Sequence, residues 1–208
     1  MIRQQFLDYC QGLKEALDAI PTDAAEKFLQ LLESAYQDGR QVFLMGNGGS
    51  GSTASHAASD LNKGVSYGRA KRFRVMSLSD NMATLTAYAN DVSYSDVFVE
   101  QLKNFLHSGD LVIGISGSGN SPNILKAIEY ANQQGAVTVG LCGFSGGKLA
   151  GMAQLSVHVP VHDLHFQRKL RLVYREESGL SHAGRAFLKV AEQVAKDHGG
   201  RYRFQREK

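Results

Sequence analysis

Apolar residues change their period once along this chain. From Arg3 to Ala19, Phe6, Leu7, Leu13, Ala16 and Leu17 share one helical face, and Pro21 ends the run. Asp23 followed by Glu26 reads as a capping box that opens a second helix carrying Phe28, Leu29, Leu31, Leu32 and Ala35. Gly39 stops that helix. From Gln41 onward the apolar runs become short and nearly continuous, at 41–46, 73–78, 110–115, 136–141 and 155–159. Such runs suit strands that are covered on both faces. The segments between them, 51–62, 81–89, 94–106 and 121–134, read as helices. Asn81 can cap one of them, Ser121 with Pro122 opens another, and Gly135 closes it. Strand–helix alternation predicts an α/β fold built on a parallel, doubly wound sheet of five strands. The reading is one domain over 1–208, with leading helices at 1–39, the α/β core at 40–163 and a tail at 164–208. The leading pair is expected to cover a sheet face or to pack against another subunit.

Composition changes this picture little. With 208 residues, 43% apolar and 21% charged, the chain suits one buried core, and no apolar run approaches the ~20 residues of a membrane span. The first residues carry no signal-peptide pattern, and Cys10 and Cys142 lie far apart, which reads as two buried thiols in a reducing cytoplasm. Charge is more informative. Residues 167–208 hold eleven Lys and Arg against five Asp and Glu, whereas the body is mildly acidic. A basic end can meet an acidic partner, but no nucleic-acid or membrane motif accompanies it.

Candidate chemistry sits where two strands stop. Gly46-Asn47-Gly48-Gly49-Ser50-Gly51 follows the first strand and leads into a helix, where unpaired N–H groups and the helix dipole suit an anion. The spacing G-x-G-x-x-G also admits a dinucleotide, but Gly68 to Arg74 is basic where an acidic ribose ligand is expected. An NADP site tolerates that, yet leaves a second loop unexplained. That loop, Ser116-Gly117-Ser118-Gly119-Asn120-Ser121, offers three hydroxyls and a helix start, a compact cup for one phosphate. Solvated serines in a plain strand-to-helix turn are the bland alternative. Two cups at strand carboxyl ends point to a sugar phosphate, one holding the phosphate and the other the hydroxyls.

These residues resemble the sugar isomerase domain (SIS) family, and within it the sedoheptulose 7-phosphate isomerases. The resemblance covers about residues 1–163. It rests on Gly46 to Ser50, on His56 with an acid four residues later, on Asn90-Asp91, on Gly114 to Ser121, and on Gly146 to Gly151. It implies a flavodoxin-like sheet in which Ser116, Gly117, Ser118 and Ser121 hold the phosphate. Asn47, Gly48, Gly49, Ser50, Asn90 and Asp91 would contact the sugar. It also implies a homotetramer with sites completed by a neighbouring subunit, and zinc on His56 and Asp60, with Asp60 placed to act as base. The family has Glu where this chain has Asp60, a reach shorter by about one methylene. His56 as an ordinary polar helix residue is the alternative.

Past Pro160 the chain departs from the family. The family's Gln position holds His165, which can still ligate zinc and serve catalysis, and its later His position holds Val173. Of the tail only Ala183 to Lys196 patterns as an amphipathic helix, and Arg201 to Lys208 reads as disordered. The expected activity is conversion of sedoheptulose 7-phosphate to D-glycero-D-manno-heptose 7-phosphate for surface-polysaccharide precursors. A non-catalytic tetramer that binds a sugar phosphate or the replication initiator protein is the alternative, because close relatives with the same loops do so.

Overall fold

Strand β1 (Gln41–Gly46) is buried at every position after Gln41, and β3 (Leu111–Ser116) at all but Ile115. Burial on both faces is what unbroken apolar runs require. The computed structural model describes residues 2–160, together with Ser181, Lys189, Val190 and Gln193. The chain divides into two compact units, Met1–Leu164 and His165–Lys208. In the first, β1 and β3 join β2 (Arg74–Ser77), β4 (Val137–Cys142) and β5 (Leu155–His158) in one sheet ordered β2-β1-β3-β4-β5. Every pairing is parallel, with Gly46 beside Ile115 and Gln41 beside Arg74.

Residues on opposite faces of β1, β3 and β4 feed two separate cores. Val42 and Leu44 of β1 meet Ala54 and Ala58 of α3 (Gly49–Ser59). Ala35 of α2 (Thr22–Asp38) joins that core, with Phe28, Leu31 and Leu32 packed against it. Phe43 and Met45 face the other way, into Val99 and Leu102 of α5 (Val99–Phe105) and Ile124 and Ile128 of α6 (Pro122–Gln133). Leu149 of the short α7 (Leu149–Met152) completes that side. Full burial of side chains such as Phe43 and Ile124 is worth about 1.5–3 kcal/mol each.

The five strands and the helices stand where the apolar pattern places them, with local differences. The capping box fails: Pro21 is the residue before α2, Asp23 lies inside the first turn, and no side chain caps. The fixed φ of Pro21 starts the helix at Thr22, two residues before the capping box would, so Asp23 faces the dipole instead. Gly39 does end α2 in the left-handed region, at φ 66°. The helix expected at 51–62 stops at Ser59 and widens into a π turn over Asp60–Val65. Asn81 caps α4 (Met82–Asp91) by accepting the Thr84 N–H at 3.1 Å. The single helix expected at 94–106 is two pieces, a 3₁₀ turn at Tyr94–Asp96 and then α5. Ser93 Oγ accepts the Ser95 N–H at 3.1 Å and so caps the turn by itself. Helix α7, too short to show a period, is not legible in the sequence.

Of the leading pair only α2 covers the sheet. On α1 (Ile2–Asp18), Phe6, Leu7, Leu13 and Leu17 stay exposed. Both cysteines are free, but only Cys142 is buried, and Cys10 is half-buried. In the second unit, Lys189, Val190 and Gln193 are helical and exposed, within the helix expected at 183–196. Apart from Ser181, the remaining tail positions, including His165, Val173 and the stretch 201–208, lie outside the described residues.

Candidate active site

Strand order decides where a ligand can enter. Strands β1 and β3 are neighbours, β2 lies outside one and β4 outside the other, so the chain leaves them in opposite directions. A crevice opens at the carboxyl ends of such a pair. Both glycine-rich loops start there, from Gly46 and from Ser116.

Each loop is shaped by backbone contacts that side chains would block. A Cβ on Gly46 would lie 2.4 Å from the Ser50 carbonyl carbon, so the chain turns into α3 only with glycine there. Ser79 locks the turn from β2's side: its Oγ accepts the Gly46 N–H at 3.2 Å and donates to the Gly46 carbonyl at 3.0 Å. Gly119 has φ 64°, and a Cβ there would lie 1.8 Å from the Gly146 carbonyl oxygen. Two further bonds dock the 146–149 loop onto the serine loop. Leu149 N–H donates to the Gly119 carbonyl at 2.9 Å, and Lys148 N–H to Asn120 Oδ1 at 3.2 Å.

The serine loop has the form of a phosphate cup. Ser116 is buried, and its hydroxyl lies 3.1 Å from that of Ser121, where α6 begins. Ser121 does not cap α6; in its first turn Pro122 has no N–H, Ile124 N–H donates to Asn123 Oδ1 at 3.0 Å and Leu125 N–H to the Ser121 carbonyl at 3.0 Å, so it is the Asn123 N–H that keeps no side-chain partner. Ser118 and Gly117 are exposed at the mouth, and Ser118 Oγ accepts the Asn120 N–H at 3.3 Å. Phe144, a non-glycine residue with φ 45°, stands over Gly117, its ring 3.6 Å from where a Cβ would be. The His158 ring nitrogen Nε2 bonds the Phe144 carbonyl at 3.0 Å. Neither Phe144 nor His158 has a signal in the sequence pattern.

Across the crevice, Gly48 and Gly49 are exposed and Asn47 and Ser50 half-buried. Asn47 and Asn123 exchange amide hydrogen bonds at 2.9 and 2.8 Å, and the Tyr94 hydroxyl donates to Asn47 Oδ1 at 2.9 Å. Asn123 and Tyr94 therefore belong to the site, although sequence reasoning misses both. Asn90 Nδ2 donates to Asp91 Oδ1 at 2.7 Å, with both side chains exposed at the end of α4.

His56 and Asp60 do share a face: Nε2 and Oδ2 are 3.2 Å apart, with side chains 79% and 66% exposed. They are two donors of a kind zinc accepts. A zinc site takes at least three protein ligands, and among the described residues no cluster of three or more His, Cys, Asp or Glu exists. His165, the expected third donor, lies outside the described residues, so the described set alone does not make a zinc site.

The dinucleotide alternative loses its support here. Arg74 pairs with Gln41 at the opposite edge of the sheet from Gly46, about 16 Å away at 3.3 Å per residue. The residues from Gly68 to Phe73 precede β2 and Arg74 opens it, instead of following it. Arg74 Nη1 donates to the Gly39 carbonyl and Lys71 Nζ to the Gln37 carbonyl, both before β1 and away from the glycine loop.

Residues 5–143 match the family model described as SIS domain. The chain belongs to the SIS domain family. It is 36% identical over 163 residues to a phosphoheptose isomerase of Helicobacter pylori strain P12, covering 78% of this chain and 84% of that protein. A probable phosphoheptose isomerase of Thermoplasma volcanium is 36% identical over 152 residues, 73% of this chain and 77% of that one. Among solved structures, a phosphoheptose isomerase from Francisella tularensis superposes with a TM-score of 0.69 at 30% identity, covering 76% of this chain and 84% of that one. The SIS family thus accounts for the sheet order and for both loops.

Proposed function

We propose that this SIS protein is a sugar-phosphate isomerase that interconverts sedoheptulose 7-phosphate and D-glycero-D-manno-heptose 7-phosphate. The observation that carries the reading is the pairing of two glycine-rich loops at one switch point, in a chain 36% identical to a phosphoheptose isomerase. The substrate phosphate is assigned to Ser116, Gly117, Ser118 and Ser121 at the start of α6. The sugar chain is assigned to Asn47, Gly48, Gly49 and Ser50, with Asn90 and Asp91.

Chemistry follows from the two carbonyl forms. A base removes one C1 proton of the ketose while the C2 oxygen takes up a proton, giving the enediol. A proton then goes to C2 as the O1 proton leaves, giving the aldose. Asp60 is assigned as the base, supported by its open carboxylate and by His56 at 3.2 Å on the same helix face. Fixed donors in the loops stabilise the enediolate oxygen. His165 is the expected further catalytic group and, with His56 and Asp60, the proposed zinc set; no step above depends on the metal.

We place the protein in the cytoplasm, feeding surface-polysaccharide precursors. Supporting this, no helix among the described residues is long and apolar enough to cross a membrane. The exposed face of α1, with Phe6, Leu7, Leu13 and Leu17, supports a homotetramer. A non-catalytic tetramer that binds sugar phosphate or the replication initiator protein is the second reading. It is favoured by the wide exposure of His56 and Asp60, which leaves the base poorly shielded from water. Incubation with sedoheptulose 7-phosphate followed by NMR separates the two: an aldose product supports the isomerase, and phosphate binding without product supports the second reading.

A further inference from the structure

The two ends of an asparagine amide have the same shape, so only their partners can fix which end faces a ligand. Here the partners form a chain that starts in the backbone. Ile124 N–H donates to Asn123 Oδ1 at 3.0 Å, and Asn123 is 1% exposed, so that oxygen cannot trade places with Nδ2. The same oxygen accepts Asn47 Nδ2–H at 2.9 Å, and Asn123 Nδ2–H donates to Asn47 Oδ1 at 2.8 Å. The polarity of Asn123 is thereby passed to Asn47. Tyr94 enforces it from the other side, its hydroxyl donating to Asn47 Oδ1 at 2.9 Å.

Counting capacity gives the consequence. The Asn47 carbonyl oxygen has two lone pairs, and Asn123 and Tyr94 take both. The Asn47 amide nitrogen has two hydrogens, and Asn123 takes one. What remains is a single N–H donor, on a half-buried residue at the mouth of the β1 loop. We infer that Asn47 meets the ligand only as a hydrogen-bond donor, its polarity set by Asn123 and Tyr94 as positioning residues. This rests on the crevice being the sugar-phosphate site. Asn47 then selects an oxygen lone pair on the sugar, and its bond strengthens if that oxygen gains charge in the enediolate.

Tyr94 is suited to a clean test because its turn is anchored independently. Asp96 in the same turn pairs with Lys126 of α6 at 2.9 Å, and Tyr94 itself is an exposed side chain. Tyr94→Phe therefore removes the hydroxyl and leaves the turn in place. Wild type, Tyr94→Phe, Asn47→Ala and Asn47→Asp are titrated calorimetrically with sedoheptulose 7-phosphate, and the first three also with inorganic phosphate. Asn47→Ala is expected to weaken the sugar phosphate about tenfold, and Tyr94→Phe about threefold, with inorganic phosphate unchanged within about twofold. Asn47→Asp, which keeps the shape but offers only oxygen, is expected to bind the sugar phosphate no better than Asn47→Ala. Equal losses for both ligands would mean that the network merely braces the two loops, and would overturn the inference. Wild-type affinity in Asn47→Asp, or in Tyr94→Phe and Asn47→Ala together, would overturn it as well. Wild-type protein that binds inorganic phosphate but not the sugar phosphate would instead overturn the isomerase reading on which the inference rests.

Discussion

The hydroxyls of Ser116 and Ser121 lie 3.1 Å apart, one at the end of β3 and the other at the start of α6. A strand end and a helix start are thereby joined through the two hydroxyls proposed to face an incoming phosphate. Neither hydroxyl is committed to capping α6, so both can turn toward a ligand.

Removing either hydroxyl should cost phosphate affinity. Ser116→Ala and Ser121→Ala are each expected to weaken inorganic phosphate about tenfold, the loss of one hydrogen bond to a charged group. Calorimetric titration measures this, and a circular dichroism melt checks that the fold is kept.

Gly119 should tolerate no side chain. Its φ of 64° and the Gly146 carbonyl 1.8 Å from a Cβ position force either loop to move in Gly119→Ala. Urea denaturation is expected to report a loss of about 1–3 kcal/mol, accompanied by loss of phosphate binding. An unchanged midpoint with normal phosphate affinity would show that the loops are not docked as described.

Binding and chemistry should separate at the His56–Asp60 pair. Asp60→Asn is expected to lower kcat by about 10²–10⁴, the usual worth of a general base, while inorganic phosphate still binds. Single-turnover measurements beside phosphate titration give both quantities.

Much of this was legible from residues alone, and the limits have physical causes. Val42 to Gly46 and Leu111 to Ser116 announce themselves because strands buried on both faces are apolar throughout. Ser116 to Ser121 is legible because three hydroxyls and two glycines before a helix have few structural uses. Asn123 and Tyr94 are not legible. Each is an ordinary polar residue in its own element, and only the β1–β3–α6 packing brings them to Asn47 from 76 and 47 residues away. Pro21 misleads in the opposite sense, since a backbone constraint outranks the side-chain cap that Asp23 and Glu26 advertise.

Metal should join the pair through His165 if the zinc proposal holds. Protein purified with zinc is expected to carry about one ion per chain, reduced in both His56→Ala and His165→Ala, since a site of three protein ligands loses affinity with any one of them. Elemental analysis after dialysis checks this, and metal retained in full by both variants would remove the proposal.

The apolar stripe on α1 should govern assembly. Leu13→Asp places a charge among exposed apolar side chains and is expected to shift a tetramer toward smaller species without unfolding the sheet. Light scattering after size exclusion reads the mass directly.

The proposed reaction is proton transfer between neighbouring carbons of a sugar phosphate held by both loops. It is tested most directly by incubating the protein with sedoheptulose 7-phosphate in deuterated water and following the product by NMR. Isomerisation through an enediol predicts an aldose heptose 7-phosphate that carries solvent deuterium at C2, and Asp60→Asn should produce almost none. Unchanged ketose with phosphate bound at Ser116 and Ser121 would contradict it.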